Sequence, residues 1–321
     1  MTFNKKHFLT GGELSSKDLH HLLQDAQKFK DTRDAGQWQS QKRLLQDKTI
    51  VLVFEKPSLR TRASFTVAVQ ELGGSVLELT SNVRKKEDPE DTIRVLQGYA
   101  HGMMIRTFEH EILHRMVQHA KIPIINGLSD LHHPCQVLAD LLTLKQRFGR
   151  LEGLKLTYVG DGNNMLHSML VLCPLVGVDI HFACPESYQP DSEILQQSLK
   201  ASQNLPGKIK AFKTPAAAVS GVHAVYTDVW TSMGFEAEEQ NRLSAFDGYQ
   251  VNEKLMSLAD PKAVVMHCMP INKGQEITED VVEGPRSVLF QQSENRLHVQ
   301  KAVFKYLFHD GLGKDPEALW Q

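Results

Sequence analysis

Short apolar runs alternate along the chain with longer segments in which apolar residues recur every three or four positions. The runs are rich in β-branched residues and are typical of buried strands, whereas the periodic segments are typical of amphipathic helices. The predicted strands span residues 49–54, 75–79, 102–106, 122–126, 154–159, 179–183, 224–228 and 263–267. A first helix opens within residues 14–19, and others are predicted over 61–72, 90–99, 111–120, 134–148, 165–175 and 293–308. This alternation indicates parallel sheets with helices on both faces.

The alternation pauses near residues 134–150 and then restarts, which indicates two domains. A chain of 321 residues is long enough to give each domain its own core. We therefore predict an α/β fold with two doubly wound parallel-sheet domains. Ligands of such folds bind beyond the carboxyl ends of the strands, where we expect to find Ser58, Arg106, His133, Asn164, Asp228 and Cys268.

Composition narrows the range of functions. The chain is 41% hydrophobic and 23% charged, which is ordinary for a soluble globular protein. Its net charge of −2 favours neither nucleic acid nor an anionic membrane as a partner. The four cysteines show no CxxC spacing, so neither a zinc site nor a disulfide framework is indicated, and a reducing, cytoplasmic location is predicted. No segment has the apolar character of a signal peptide or a membrane span.

Ser58-Leu59-Arg60-Thr61-Arg62 lies at a predicted strand-to-helix junction. The helix end offers free N–H groups, and guanidinium groups match the oxygens of phosphate or carboxylate. Because the whole chain is nearly neutral, Arg60 and Arg62 would supply the local positive charge that an anion needs. The alternative is a surface turn with solvated arginines.

His133-Pro134-Cys135-Gln136 places an imidazole and a carboxamide three residues apart at a predicted helix start. This spacing lets both side chains point to one side, where they can bond a carbonyl oxygen and an amide N–H. The alternative for a histidine in a loop is ordinary polar surface.

Two further residues follow predicted strands in the second half of the chain. Asp228 is placed to meet an ammonium group, although it could instead cap a helix. Cys268 follows an apolar strand and would be inert core if buried, but its position predicts that it faces the same cleft as Asp228.

Gly160-Asp161-Gly162-Asn163-Asn164 contains two of the three glycines of a dinucleotide-binding fingerprint. Met165 occupies the third position, and the next strand ends at Cys184 without the acidic residue that binds a ribose. A nicotinamide cofactor is therefore not expected. The two asparagines would either orient a polar substrate or close the turn.

These motifs, followed by Glu294-Asn295-Arg296, occur in an order and at spacings that resemble the aspartate/ornithine carbamoyltransferase family over essentially the whole chain. The resemblance is greatest to the branch that uses ornithine. It implies carbamoyl transfer from carbamoyl phosphate to the side-chain amine of L-ornithine, giving L-citrulline and phosphate in arginine metabolism, in either direction. It also implies a homo-oligomer, a trimer or a multiple of trimers, without cofactor or metal.

The resemblance further implies a division of the chain and a set of roles. Residues 1–133 with 293–321 would bind carbamoyl phosphate and residues 134–292 ornithine, with the active site in the cleft between the domains and the C-terminal helix packed on the N-terminal domain. The catalytic residues would be Arg106, His133 and Cys268. Carbamoyl phosphate would be bound by Ser58, Leu59, Arg60, Thr61, Arg106, His133, Gln136, Cys268, Met269 and Arg296, and ornithine by Asn164, Asp228, Ser232 and Met233.

The chain departs from the family pattern in three respects: at Leu59, at Asn82 and in the unusually basic loop that contains Arg84, Lys85 and Lys86. Leu59 replaces the usual threonine, which removes a hydroxyl but keeps the backbone N–H. Asn82, near a position from which relatives reach a neighbouring subunit's site, and Lys86 in the same basic loop are candidates for cross-subunit contacts.

Three alternatives stay open beside ornithine transfer. Leu59 leaves N-acetylornithine or putrescine possible as acceptor, and a non-catalytic anion- or amino-acid-binding protein could use the same scaffold. Aspartate as acceptor is disfavoured, because its second carboxylate needs cations where this chain has Asp228 and Ser232-Met233-Gly234.

Overall fold

The structure, a computed structural model, describes residues 7–80, 87–231 and 239–309. The chain forms two compact units. One comprises Met1–Leu142 and Glu294–Gln321, and the other comprises Thr143–Ser293.

The N-terminal unit is built on a parallel sheet with the strand order β2-β1-β3-β4. Its strands are β1 (Thr49–Phe54), β2 (Ser75–Thr80), β3 (Gly102–Arg106) and β4 (Ile124–Leu128). The helices of this part of the chain are α1 (Ser16–Asp34), α2 (Arg60–Glu71), α3 (Pro89–Leu96), α4 (His110–His119) and α5 (Pro134–Phe148), with a 3-10 turn at Trp38–Arg43. The apolar strands fill the core between the helices, with Val51, Val53, Met103, Ile105 and Ile124 fully or almost fully buried.

The C-terminal unit contains a second parallel sheet, with the strand order β7-β6-β5-β8-β9. Its strands are β5 (Lys155–Val159), β6 (Asp179–Ala183), β7 (Ile209–Ala211), β8 (Ala224–Thr227) and β9 (Val264–His267). The helices are α6 (Asn164–Leu172), α7 (Ser192–Ser202), α8 (Pro215–Val219), α9 (Glu239–Ala245), α10 (Glu253–Met256) and α11 (Glu279–Val282), with 3-10 turns at Pro174–Val176 and Glu186–Tyr188. The predicted α/β fold with two parallel sheets is thus confirmed.

The last helix, α12 (Leu289–Phe308), belongs to the N-terminal unit from Glu294 onward. The ring of Phe304 packs edge-on against Phe65 of α2 at 5.9 Å. The end of α12 reaches the start of β3, where a Cβ on Gly102 would lie 2.8 Å from Cζ of Phe308. The predicted packing of the C-terminal helix on the N-terminal domain is therefore confirmed.

Local chemistry explains where several elements begin. The Ser15 side chain caps α1 and accepts from the backbone N–H of Asp18, while Asp18 accepts from the Ser15 N–H in return. The strand predicted at residues 122–126 begins instead at Ile124, because Pro123 has no N–H to donate to the ladder. No helix in the described part of the chain is long and apolar enough to cross a membrane.

Candidate active site

The order of the strands reverses at one point in each sheet. In the N-terminal unit the chain moves outward from β1 to β2 and then returns to β3 on the other side of β1. In the C-terminal unit the reversal falls between β5 and β8. The crevice beyond the carboxyl ends of the strands at such a point is where open α/β sheets bind ligands.

In the N-terminal unit, the turn after β1 leads directly into the start of α2. The backbone N–H of Thr61 donates to Ser58 Oγ at 3.2 Å, and Arg296 Nη2 donates to Thr61 Oγ1 at 2.6 Å. The side chain of Leu59 is 78% exposed, so this position contributes its backbone and no polar side chain. The N-terminus of α2, with its partial positive charge, therefore lies beside the guanidinium that α12 supplies.

Arg62 does not add its charge to this cluster. Its Nε and Nη2 atoms bind the two carboxylate oxygens of Glu78 on β2, at 2.9 Å and 2.6 Å, and its side chain is 59% exposed. From the sequence we expected Arg60 and Arg62 together to supply the positive charge for an anion, but the charge of Arg62 is paired with Glu78, which lies on β2 and outside the motif.

His133 is a buried histidine whose pKa is affected by several positive charges. It is buried just before α5, and burial lowers its pKa well below the ordinary value, with further lowering by the charges of Arg296, Arg106 and Arg60. The ring is therefore neutral at physiological pH, with one nitrogen able to donate a hydrogen bond. Three arginines from three different elements thus share the surroundings of one uncharged imidazole.

Gln136 lies one turn further along α5 and is also buried. Its Nε2 donates to Asp140 Oδ1 at 3.0 Å, while its Oε1 has no hydrogen-bond partner among the described residues. A carboxylate can only accept, so Asp140 fixes the orientation of the amide. Oε1 is left as an acceptor for an N–H group of a ligand.

In the C-terminal unit, Asp228 follows β8 and accepts three hydrogen bonds from residues that the structure describes. They come from Cys268 Sγ at 3.0 Å, from Asn163 Nδ2 at 2.9 Å and from the N–H of Val229 at 2.9 Å. A carboxylate has about four acceptor positions. The geometry therefore leaves room for one more donor, such as an ammonium group.

Asn163 was not among the predicted site residues, although its neighbour Asn164 was. Its Oδ1 caps α6 by accepting from the N–H of Met165 and also accepts from the hydroxyl of Tyr158. Burial, together with the nearby charge of Asp228, raises the pKa of Tyr158 well above its ordinary value, so the phenol keeps its proton. The two roles considered for the asparagines, closing the turn and serving the site, are therefore combined in Asn163.

Cys268 is half-buried directly after β9, and its neighbours His267 and Met269 are both held by hydrogen bonds. His267 Nδ1 accepts from the N–H of Met269 at 2.8 Å, so the ring proton is on Nε2, which bonds Glu276 Oε1 at 3.1 Å. Gln292 Oε1 accepts from the backbone N–H of His267 at 3.1 Å. Glu276 was missed because nothing near it in the sequence marks its partner nine residues earlier.

One group of side chains in the described part of the chain is close enough to hold a metal ion. Ligand atoms of Asp228, His267 and Cys268 all lie within 4.8 Å of one another. Both ring nitrogens of His267 are engaged, however, by Met269 and Glu276. This donor set therefore does not fit a resident metal ion.

The remaining predicted residues are placed as follows. Asn164 is the half-buried first residue of α6, and Met269 is half-buried with a left-handed backbone at φ 60°. Ser58, Leu59, Arg60, Thr61, Arg106, His133, Gln136 and Arg296 belong to the N-terminal unit, and Asn164, Asp228, Cys268 and Met269 to the C-terminal unit. Ser232, Met233, Asn82 and Lys86 lie outside the described residues.

Two family models match the chain. The family model "Aspartate/ornithine carbamoyltransferase, carbamoyl-P binding domain" matches residues 6–146, and "Aspartate/ornithine carbamoyltransferase, Asp/Orn binding domain" matches residues 152–307. The chain belongs to the aspartate/ornithine carbamoyltransferase family.

Individual relatives are similar over nearly the full chain. The ornithine carbamoyltransferase of Nostoc punctiforme is 46% identical over 298 residues, which cover 92% of this chain and 94% of that protein. The solved structure of ornithine carbamoyltransferase from Pyrococcus furiosus has a TM-score of 0.90 at 39% identity and covers 95% of this chain and 97% of its own. That from Gloeobacter violaceus has a TM-score of 0.84 at 43% identity, covering 94% and 98%.

Proposed function

We propose that this protein transfers the carbamoyl group of carbamoyl phosphate to the side-chain amine of L-ornithine, giving L-citrulline and phosphate. The observation that carries the proposal is a buried, neutral His133 whose pKa is lowered by the charges of Arg60, Arg106 and Arg296. Arg60, Arg106 and His133 lie in the part of the chain that matches the carbamoyl-P binding domain of the family.

The donor site follows from the charges and hydrogen-bonding groups of the N-terminal unit. Ser58, the Leu59 backbone, Arg60 and Thr61 bind the phosphate at the start of α2. Arg106 bridges the phosphate and the carbamoyl oxygen, and Arg296 meets the carbamoyl end. His133 donates to the carbamoyl oxygen, while Gln136 Oε1 accepts from the carbamoyl amide, since its Nε2 is held by Asp140.

The acceptor site follows from the C-terminal unit. The remaining acceptor position of Asp228 binds the α-ammonium of ornithine, and Asn164 contributes polar groups beside it. Ser232 and Met233 complete this set in our proposal. Cys268 lies beside the reacting amine, because its thiol is bonded to the same carboxylate.

The reaction needs a neutral amine. An alkyl amine has a pKa of about 10.4, so roughly one molecule in a few thousand is neutral at pH 7. Removing the proton at this pH therefore costs roughly 4–5 kcal/mol. We propose that Cys268 and Asp228 accept the proton of the side-chain ammonium and carry it away. The amine nitrogen then attacks the carbamoyl carbon, and negative charge develops on the carbonyl oxygen, where Arg106 and His133 stabilise it.

Collapse of the tetrahedral intermediate breaks the bond between the carbamoyl carbon and the phosphate oxygen. The electron pair leaves with the phosphate, whose charge is stabilised by Arg60 and Arg106. The departing phosphate takes the second proton of the nitrogen, so citrulline, hydrogen phosphate and the one proton removed from the ammonium are released. Because carbamoyl phosphate is already activated, positioning and electrostatics suffice without a cofactor.

A parallel assay tests the proposal. Carbamoyl phosphate is offered with ornithine, N-acetylornithine, putrescine or aspartate, and the ureido product is measured. We expect ornithine to give the highest kcat/KM, because N-acetylornithine lacks the α-ammonium that Asp228 binds and putrescine lacks the α-carboxylate. A higher kcat/KM for another amine would reassign the acceptor, and the absence of product with all four would favour the binding-protein alternative.

We also propose that the protein is cytoplasmic and forms a trimer or a multiple of trimers, as the family resemblance implies. Its cysteines are all free thiols, which suits a reducing compartment. Sedimentation equilibrium measures the assembly, and a monomer would contradict this part of the proposal.

A further inference from the structure

One loop makes two contacts with the segment that contains Asp228, one directly and one through Arg242. This loop follows β5 and contains Asp161 and Asn163. Asn163 Nδ2 donates to the Asp228 carboxylate itself at 2.9 Å. Asp161 acts through Arg242 of α9, whose Nη1 donates both to Asp161 Oδ2 and to the carbonyl oxygen of Trp230, each at 2.9 Å. Both contacts therefore converge on residues 228–230.

The side chains of Arg242 and Asp161 are largely buried. Their side chains are 7% and 13% exposed, and the guanidinium carbon of Arg242 lies 4.6 Å above the ring of Tyr188. The ring of Trp230 stacks on Phe246 at 5.3 Å. The guanidinium of Arg242 thus lies against the ring of Tyr188 while one of its nitrogens binds the backbone next to Asp228.

Gly162 allows the segment that bears Tyr188 to approach the loop after β5. A Cβ at position 162 would lie 2.2 Å from the backbone nitrogen of Pro190, and the Gly162 N–H donates to the carbonyl of Tyr188 at 2.9 Å. The loop must therefore be glycine here for the segment bearing Tyr188 to approach. This close packing is the physical reason for the glycine that resembled part of a dinucleotide fingerprint.

A buried ion pair is weak evidence for stability, because desolvation of the two charges offsets their attraction and an apolar pair often serves equally well. What an apolar pair cannot supply is a hydrogen bond to the carbonyl of Trp230. That bond fixes the backbone two residues beyond Asp228, while Asn163 fixes the carboxylate directly.

We propose that Arg242 and Asp161 are positioning residues for the acceptor: through the Trp230 carbonyl they orient Asp228 toward the α-ammonium of the amino-acid substrate. This inference rests on the proposed function and specifies how its acceptor site is held. Arg242 acts through the backbone, and its contribution is to the binding of ornithine and not to that of carbamoyl phosphate.

The test uses two variants of the full-length protein. Arg242→Met removes the contact to Trp230 but leaves Asp161 buried without this partner, which can impair folding. The double variant R242M/D161L removes both charges and avoids that defect. For each, KM and kcat are measured for both substrates, together with the dissociation constant of L-2-aminopentanoate, which keeps the α-ammonium and carboxylate of ornithine but lacks the reacting amine.

We expect the KM for ornithine and the dissociation constant of L-2-aminopentanoate to rise about tenfold in the double variant, equivalent to about 1.4 kcal/mol. The KM for carbamoyl phosphate should stay within about twofold of wild type, since a loss of that size reports less than about 0.5 kcal/mol. A merely structural role would leave both substrates unchanged in the folded variant or weaken them equally.

Arg286→Met is the matched control in the same unit. Arg286 also binds one backbone carbonyl and one carboxylate, those of Met256 at 2.8 Å and Glu253 at 3.0 Å. We expect it to leave the KM for ornithine unchanged. Unchanged ornithine binding in folded R242M/D161L, or an equal rise in R286M, would overturn the inference, whereas wild-type protein that makes no citrulline would overturn the proposed function instead.

Discussion

At the scale of single residues, Asp228 and Cys268 are the side chains that we propose to remove the proton from the substrate amine. The thiol donates to the carboxylate at 3.0 Å, and the same carboxylate has one acceptor position left for substrate. In this arrangement a proton that leaves the substrate amine could pass to the thiol and the carboxylate, which are already joined by a hydrogen bond. The proposed proton role of Cys268 therefore makes a specific prediction.

Cys268→Ser should lower kcat and shift its pH dependence. A serine hydroxyl can still donate to Asp228, so ornithine binding is largely retained, but its pKa lies far above the value of about 8.5 for a thiol. Loss of positioned acid–base chemistry costs about 10²-fold or more. Steady-state rates between pH 6 and 10 measure both effects.

Cys173→Ala is the control for this prediction. Its thiol is buried at the end of α6, and the variant should keep the wild-type pH profile. If Cys268→Ser also kept that profile, Cys268 would have no part in moving the proton.

At the residue scale, sequence reasoning located groups that sit at the ends of strands but not their partners. Arg60, His133 and Asp228 could be named because short motifs place them after predicted strands. The pairing of Arg62 with Glu78 and that of His267 with Glu276 could not, because register and loop packing decide them. Asn163 was passed over for its neighbour, since only the turn geometry shows which amide faces Asp228.

At the scale of elements, α12 connects the stability of the N-terminal unit with its donor site. Arg296 on α12 binds Thr61, and further along the same helix Lys301 pairs with Glu71 and Lys305 with Asp25. Both lysines are fully buried. The ion pairs therefore hold the helix that presents Arg296.

Lys305→Met should lower the free energy of unfolding by about 3–5 kcal/mol, because it leaves the buried Asp25 without its 2.6 Å partner. The double variant K305M/D25L, which removes both charges, should recover most of that loss. Urea unfolding followed by circular dichroism measures both variants.

Lys273→Met provides the exposed counterpart. Lys273 pairs with Glu279 and Glu283, each at 2.9 Å, on the surface of the C-terminal unit. Its removal should cost less than about 1 kcal/mol. Equal losses in Lys305→Met and Lys273→Met would mean that burial of the Lys305–Asp25 pair has no energetic consequence.

Most strands and most of the longer helices could be predicted from hydrophobic periodicity, whereas α7 to α11 were not predicted. β4 starts two residues late because of Pro123, and α3 stops at Leu96, two residues before Gly98. The short β7 has only three residues, of which two are exposed, so it carries no apolar pattern to detect. Its place at the edge of the sheet is set by pairing with β6.

At the scale of the whole molecule, the strand order of each of the two sheets reverses at one point. The order itself was not predicted, because the sequence reveals the alternation of strands and helices but not which strands are neighbours. Once the order is known, topology favours ligand sites after β1 and β3 and after β5 and β8. The family motifs include Ser58, Arg106, Asn164 and Asp228 at these strand ends, but they also include His133 after β4 and Cys268 after β9.

Buried histidines make the whole molecule sensitive to acid. Burial lowers the pKa of His110 to about 4, helped by the charge of His114 and opposed by Asp130. Burial likewise lowers the pKa of His298 to about 4, helped by Lys30 and Lys301 and opposed by Glu294. In the unfolded chain the pKa of both histidines would be about 6.5.

Between pH 6.5 and about 4, each of these two histidines binds a proton in the unfolded chain but not in the folded one. The stability that they contribute is complete above pH ~6.5 and is lost as the pH falls, by up to about 1.4 kcal/mol per pH unit for each histidine. His298→Gln removes one of these protons, so its unfolding free energy should fall less steeply between pH 6.5 and 4.5. Urea unfolding across this range measures the slope, and the exposed His20→Gln should keep the wild-type slope. If His298→Gln kept it as well, protonation of His298 would not contribute to acid unfolding.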